Sequence, residues 1–288
     1  MFKSHIKILL SILAIGFTGL FLYLGINSYS MDHMVAQEIE TLTQASHQQA
    51  SAHAFSFNDL AGLPAPVQRY FRYALPENQK TILYARMKID SEYKSPAFGN
   101  FGVFNAEEYL MAIRPGLVFN AVMWPVPMVW MDVRDKYYNS HAAMQVNLFS
   151  GFNMLNELQI PELDMTTLIR WAGEAVLAPT ALLPSQFVQW KPVDANSAIA
   201  VITDGDKTGQ ILFHFNERGQ ITSYTSNDRF DRIGNVYHPS GSITYRDQYA
   251  DFDQIKIPTE FRISKIQNGV QEEYFRGKVI AVEFITAK

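Results

Sequence analysis

The sequence contains no cysteine. That excludes disulfides, thiolate metal sites, a cysteine nucleophile and a lipid carried on an N-terminal Cys. Equally missing are a Gly-rich phosphate loop, H-E-x-x-H, G-x-S-x-G and an EF-hand loop, so no motif specifies nucleotide, zinc, serine-hydrolase or calcium chemistry. There is no basic excess: 24 Lys and Arg against 28 Asp and Glu leave a formal charge of -4, the wrong sign for a nucleic-acid footprint. The 7 histidines are scattered and fit no compact ligand spacing. These absences predict no metal, no cofactor and no nucleic-acid partner, and they leave no residue assigned as catalytic.

What is present begins with one long uncharged run, residues 8–26, ILLSILAIGFTGLFLYLGI. It is about as long as a helix needs to be to cross a bilayer core. Lys3 and Lys7 precede it and Asp32, Glu38 and Glu40 follow, which by the positive-inside rule leaves the N-terminus in the cytoplasm and exports the rest. A short basic start also suits a cleaved signal peptide. The run, however, is longer than a signal core of about 7–15 residues, and no A-x-A site follows it. An uncleaved, single-pass anchor in the cell (inner) membrane is therefore expected. Tyr23 and Tyr29 fall at its outer end, where aromatic side chains favour the interface. The predicted layout is a cytoplasmic tip and anchor at 1–28, a polar, partly helical stalk at 29–54, and an extracytoplasmic β-rich domain at 55–288.

In that domain, residues 63–76 read LPAPVQRYFRYALP. Pro66 suits a first helical turn, and Val67, Tyr70, Phe71 and Ala74 recur at helical spacing, predicting a short amphipathic helix. From Ile82 the period drops to two: Leu83, Ala85, Met87 and Ile89 alternate with Tyr84, Arg86, Lys88 and Asp90, as in a half-buried strand. Further strands are predicted at 101–113, 117–124, 129–133, 144–149, 187–190, 198–203, 209–216, 220–230, 242–249, 257–266 and 270–285. Short Gly-containing turns separate many of them, with Asn268-Gly269 the best tight-turn signal. The prolines in residues 124–130, WPVPMVW, predict an edge, bulge or loop there.

The central stretch, 163–190, interrupts the strands with one amphipathic helix. Leu168, Trp171, Ala172, Ala175 and Val176 form its apolar face, Asp164 is its candidate N-cap, and Pro179 ends it. Short turns between successive strands mean antiparallel pairing. A sheet of about ten strands tends to curl. The predicted fold is mainly β with helices (α+β): a strongly curved antiparallel sheet or partly closed barrel around one amphipathic helix, preceded by a single transmembrane helix.

Several stretches are familiar together: the 63–76 segment, Arg170 with Glu174, PTALLP at 179–184, Val188, Trp190, TDGDKTGQILFHFNERGQI at 203–221, and Arg229. In them the chain resembles a family of mostly bacterial, often membrane-associated proteins catalogued only as a domain of unknown function, over roughly residues 63–284. A tryptophan usual in that family before the last strands is replaced here by tyrosines in residues 245–252. The curved sheet wrapped on a helix is, by architectural analogy, similar to lipoprotein and lipid-carrier folds.

Arg170 and Glu174 lie four apart, on one side of the central helix. They predict either a structural ion network that seats the helix on the sheet, or a polar anchor at the base of an apolar pocket. Arg170, Trp171, Glu174, Trp190 and Arg229 are the candidate ligand-binding residues. Aromatics at 13% and 11 Met could line such a cavity or simply fill it. The expected function is an extracytoplasmic domain that binds a lipid, another hydrophobic ligand or an envelope protein partner in an apolar cavity. An envelope enzyme using Glu174, Arg170 and Arg229, and a purely structural scaffold, are the other two readings.

Overall fold

The computed structural model describes residues 2–49, 54–94, 99–267 and 269–287. In chain order it contains helix α1 (Phe2–Gln48), strand β1 (Ala54–Phe55), helix α2 (Ala65–Ala74) and strand β2 (Gln79–Lys80), which pairs with β1. A first meander follows: β3 (Ile82–Lys94), β4 (Phe101–Met111), β5 (Gly116–Val126), β6 (Val129–Tyr138), β7 (His141–Leu148) and β8 (Phe152–Leu158). Helix α3 (Pro161–Glu174) then leads to a second: β9 (Val188–Pro192), β10 (Ser197–Asp204), β11 (Lys207–Phe215), β12 (Ile221–Ile233), β13 (Val236–Phe252), β14 (Ile255–Gln267) and β15 (Val270–Thr286).

All strands from β3 onward join one 13-stranded antiparallel sheet, ordered β8-β7-β6-β5-β4-β3-β15-β14-β13-β12-β11-β10-β9. Each meander is built from local hairpins. The pairing of β15 with β3 joins the two, for example Val279 opposite Ile89. A sheet this wide cannot stay flat without exposing both faces. It curls around α3, which touches β10, β11 and β12 on one side and β5, β6 and β7 on the other. The two arms also meet directly. Tyr137 Oη on β6 donates to Asp204 Oδ2 on β10 at 3.1 Å, and Glu157 on β8 accepts from Arg232 Nε at 2.7 Å and from Tyr237 Oη. The predicted curved sheet around one helix is the observed fold.

The concave face is apolar because strand alternation points one side chain in two inward. Ala85, Met87, Ile89, Phe104, Ala106, Leu117, Phe119, Ala121 and Val133 form one cluster with Leu168, Trp171 and Ala172 of α3. Gly173 permits a close approach of α3 to the sheet, since a Cβ there would fall on the Tyr224 ring. Helix α2 buries Val67, Tyr70, Phe71 and Ala74, each large side chain contributing about 1.5–3 kcal/mol. Its arginines pin it in place: Arg69 Nη2 donates to the Ala195 carbonyl at 2.8 Å, and Arg72 stacks on Phe57 at 4.7 Å. Helix α2 therefore caps one end of the domain.

Several local details differ from the sequence-based expectation, and strand β6 runs on to Tyr138 where the charges at 132–136 suggested a turn after 133, because both neighbours pair with it there. Helix α3 starts at Pro161 with Ile160 as its N-cap, because proline at the first position presets the helical φ. Asp164 then lies inside the first turn, where its buried carboxylate accepts the Ala142 N–H at 2.6 Å and faces Lys207 Nζ at 3.5 Å. The α-helix ends at Glu174 and continues as two 3-10 turns, Ala175–Leu177 and Pro179–Leu182, the second opened by the proline that breaks the ladder. Strand β8 was not anticipated, since it is an edge strand whose residues are mostly exposed and carry little alternation. At WPVPMVW the pairing of β5 with β6 slips between Met123 and Val126, a bulge that houses Pro125 as the prolines suggested. Asn268 lies outside the described residues; Gly269 takes φ +77°.

Helix α1 is continuous from the apolar run through the polar stretch, a rod of about 70 Å at 1.5 Å per residue. Its lower part lies on the convex face of the sheet. Val35 and Leu42 pack with Met111 and Val118, Ser46 reaches Met111, and Glu38 accepts from Arg134 Nε at 2.6 Å and Lys136 Nζ at 3.1 Å. Among the described residues, none of its 18-residue apolar window is buried.

Candidate functional site

The concave face contains a buried charge cluster centred on Arg170. From α3, its guanidinium reaches Asp135 Oδ2 on β6 at 2.7 Å, Glu174 at 2.9 and 3.1 Å, and Glu108 on β4 at 3.5 Å. It also lies over the Phe119 ring of β5 at 4.4 Å. The sheet register explains the convergence: Glu108 is opposite Phe119, and Phe119 is opposite Asp135. Residues paired across antiparallel strands point to the same face, so all three side chains face α3.

Three carboxyl groups around one guanidinium cannot all ionise at low cost in an apolar interior. Burial raises the Glu108 pKa well above the ordinary carboxylate value, and the neighbouring Glu174 charge raises it further, against a smaller opposing effect of Arg170. Asp135 is also raised by burial, with Arg170 opposing. For Arg170 itself burial acts to lower the pKa, but Glu174, Glu108 and Asp135 outweigh it and the net direction is upward. Glu108 is the carboxyl farthest from the cation, and burial with the neighbouring Glu174 acts to favour its neutral form. The cluster thus sets three carboxyl groups and a cation in one place, a set that can donate to and accept from a polar group.

Beside the cluster runs an aromatic wall. Phe104 stacks on Phe119 at 5.8 Å and meets Phe275 edge-on at 5.4 Å, with Tyr93 and Phe261 on either side of Phe275 at 6.1 and 5.2 Å. Burial, with the charges of Tyr274, Asp135 and Asp231, pushes the Tyr93 phenol up to about 12. The cluster is not sealed: Arg170 and Asp135 each keep 18% of their side-chain surface open. Asp135 Oδ1 and Arg246 Nε, both buried, have no hydrogen-bond partner among the described residues.

Of the residues singled out from sequence, Arg170 and Glu174 come together here. Trp171 points elsewhere, its Nε1 donating to the Met111 carbonyl at 2.8 Å. Trp190 packs on Phe213 and Phe215 and donates to the Leu182 carbonyl at 2.9 Å. Arg229 lies on β12 opposite Ser240 and makes no ion pair among the described residues. Sequence reasoning missed Glu108 and Asp135. A signal for both existed: Glu108 falls in the inward phase of Phe104, Ala106 and Leu110, and Asp135 in that of Val133 and Tyr137. An acid in an apolar phase of a strand needs a buried partner. No group of His, Cys, Asp and Glu among the described residues has a metal-holding arrangement.

No curated protein matches the chain in sequence. Among solved structures, a DUF1329 family protein from Desulfovibrio piger is similar over 71% of this chain and 86% of its own, with 10% identity and TM-score 0.39. A LolA superfamily protein from Nitrosomonas europaea is similar over 79% of this chain and 96% of its own, with 8% identity and TM-score 0.39. A beta-barrel-like DUF1849 protein from Brucella abortus is similar over 72% of this chain and 99% of its own, with 10% identity and TM-score 0.23. None of these likenesses bears on what the chain binds. Residues 61–284, nearly the stretch in which the sequence resemblance lay, match a family of unknown function, DUF6920, and the chain belongs to that family.

Proposed function

We propose that this protein is a membrane-anchored, extracytoplasmic half-barrel that holds an amphipathic, lipid-like molecule against its concave face. The aromatic wall of Tyr93, Phe104, Phe119, Phe261 and Phe275 would take the apolar body, and the cluster around Arg170 the polar head. The observation that carries this reading is the open surface of Arg170 and Asp135 at the edge of that wall. Here polar surface stays available near the half-buried rings of Tyr93 and Phe275, with Phe104, Phe119 and Phe261 buried behind them, the combination that ligand sites use.

Three carboxyl groups face one cation, so the cluster holds more acid than base. It therefore favours a neutral or cationic head that can donate hydrogen bonds, and disfavours an anionic one. The anchor is supported by the uncovered apolar window of α1, with Lys3 and Lys7 before it and acids after it. In this reading residues 1–28 anchor the chain, 29–54 form the stalk, and 55–288 the exported domain.

The test is native mass spectrometry and solvent extraction of the full chain purified in mild detergent. An apolar small molecule retained near one per chain by the wild type, and lost from Arg170→Met, is expected. A ligand-free wild type, or equal retention by both, refutes the reading; a co-purifying protein segment instead would make the concave face a partner site.

A further inference from the structure

Two hairpin tips at one end of the sheet are uncharged and aromatic. Residues 123–131, MWPVPMVWM, join β5 to β6, and residues 146–156, VNLFSGFNMLN, join β7 to β8. Trp124, Met128, Phe152 and Met154 are exposed there, Met128 by 86%. Exposing several large apolar side chains side by side is costly unless something covers them. The tips form one patch: Trp130 meets Trp124 at 5.9 Å and Phe149 at 4.9 Å, and its Nε1 donates to Ser150 Oγ at 3.2 Å.

The patch touches the apolar run of α1. Tyr23 Oη donates to the Gly151 carbonyl at 2.7 Å, and its ring lies 6.0 Å from Phe152. A Cβ on Gly151 would meet the side chains of Tyr23 and Leu24, so the β7–β8 turn is seated against the last turns of residues 8–26. From there α1 descends the convex face to Ser46, beside Met111 at the opposite end of β4, a run of about 35 Å. Strands β4 to β6 thus run lengthwise beside α1, with the aromatic tips at the level of Tyr23.

We infer that the β5–β6 and β7–β8 tips are a membrane-docking surface, inserted at the headgroup–acyl boundary of the bilayer that α1 crosses. This rests on the anchored reading above. Trp and Tyr prefer that layer because an apolar ring and a polar N–H or O–H are both satisfied there. The occupant is lipid because the patch is continuous with a membrane-length helix and its tip residues, 123–131 and 146–156, are themselves uncharged, the neighbouring acid Asp132 being half-buried. Glu38, held by Arg134 and Lys136, and the tips together would hold the domain in one attitude on the membrane.

The absence of cysteine makes the test direct. Single cysteines at Met128→Cys and Met154→Cys on the tips, Val193→Cys beyond β9, and Phe17→Cys in the apolar run all replace exposed residues, so folding is undisturbed. Each full-length variant is labelled with an environment-sensitive fluorophore and reconstituted in phosphatidylcholine–phosphatidylglycerol vesicles containing acyl-brominated lipid. Quenching at positions 128 and 154 several-fold above that at 193, and approaching that at 17, is expected. If 17 is quenched but 128 and 154 behave like 193, the docking surface is refuted while the anchor stands. If 17 also behaves like 193, the anchored reading falls and the docking surface with it.

Discussion

Replacing Arg170 with Met removes the cation that contacts Asp135, Glu174 and Glu108, at 2.7, 2.9 and 3.5 Å, while keeping most of the volume over Phe119. Deleting one partner of a buried ion pair costs about 3–5 kcal/mol, because the remaining charge is left uncompensated. For a domain of this size each kcal/mol moves Tm by roughly 2–4 °C, so a drop on the order of 6–20 °C is expected at pH 8. The loss should shrink on acidification. Without Arg170, which opposes the upward shifts of Glu108 and Asp135, the carboxyl pKa values in the folded state rise further above their unfolded values. A group raised in this way binds its proton more tightly when folded, so stability is greatest below the unfolded carboxylate range and is lost as pH rises through the folded pKa. Thermal melts of wild type and Arg170→Met from pH 5 to 8, followed by intrinsic fluorescence, measure the gap. A gap that widens steadily with pH supports the charge argument. An equal gap at every pH would refute it, reducing Arg170 to a packing group on Phe119.

The other predictions concern the same physics at neighbouring points. Glu108→Gln keeps a hydrogen-bonding group but removes the raised acid, so the wild-type loss of stability above the ordinary value of 4.5 should flatten, by up to about 1.4 kcal/mol per pH unit for one proton; an unchanged Tm–pH slope would place the proton elsewhere. Glu38→Gln strips Arg134, whose side chain is 5% exposed, of its carboxylate; faster hydrogen exchange in residues 31–48, with a loss of about 3 kcal/mol, should follow, and unchanged exchange would mean the helix docks by Met31, Val35 and Leu42 alone. Gly277→Ala would push a Cβ onto the side chain of Ser91 and the backbone of Asp90, so a loss of about 1–3 kcal/mol from overpacking is expected in chemical denaturation, and a neutral result would show that β15 and β3 can part freely.

Much of the fold was legible because its signals are local. The two-residue period from Ile82, the helical spacing of Val67, Tyr70, Phe71 and Ala74, and the Gly-bearing turns each report the backbone's preference over a few residues. Strand β8 escaped because an edge strand has only one neighbour and little buried face to impose alternation. The stalk was expected to be partly helical, but its docking on the sheet escaped for a related reason. Its buried contacts, Met31, Val35, Leu42 and Ser46, are too sparse to read as a stripe, and become meaningful only against Met111 and Val118.

The site was half legible. Arg170 and Glu174 are one helical turn apart, so sequence alone pairs them. Trp171, adjacent to Arg170, is turned by the helix to another face, and Trp190 and Arg229 lie on strands that reach other parts of the interior. Thus the sequence by itself determined the repeating periods, the uncharged run, the absence of sulfur chemistry and the i, i+4 pair, all of which depend on neighbours along the chain. Only the tertiary structure decided that β15 pairs with β3, that the sheet closes on α3, and that Glu108 and Asp135 converge on Arg170. Those outcomes depend on which surfaces meet across separations from 35 residues, Asp135 to Arg170, to 184, Glu92 to Arg276, and the energy of a buried charge is set by what lies opposite it rather than by what precedes it.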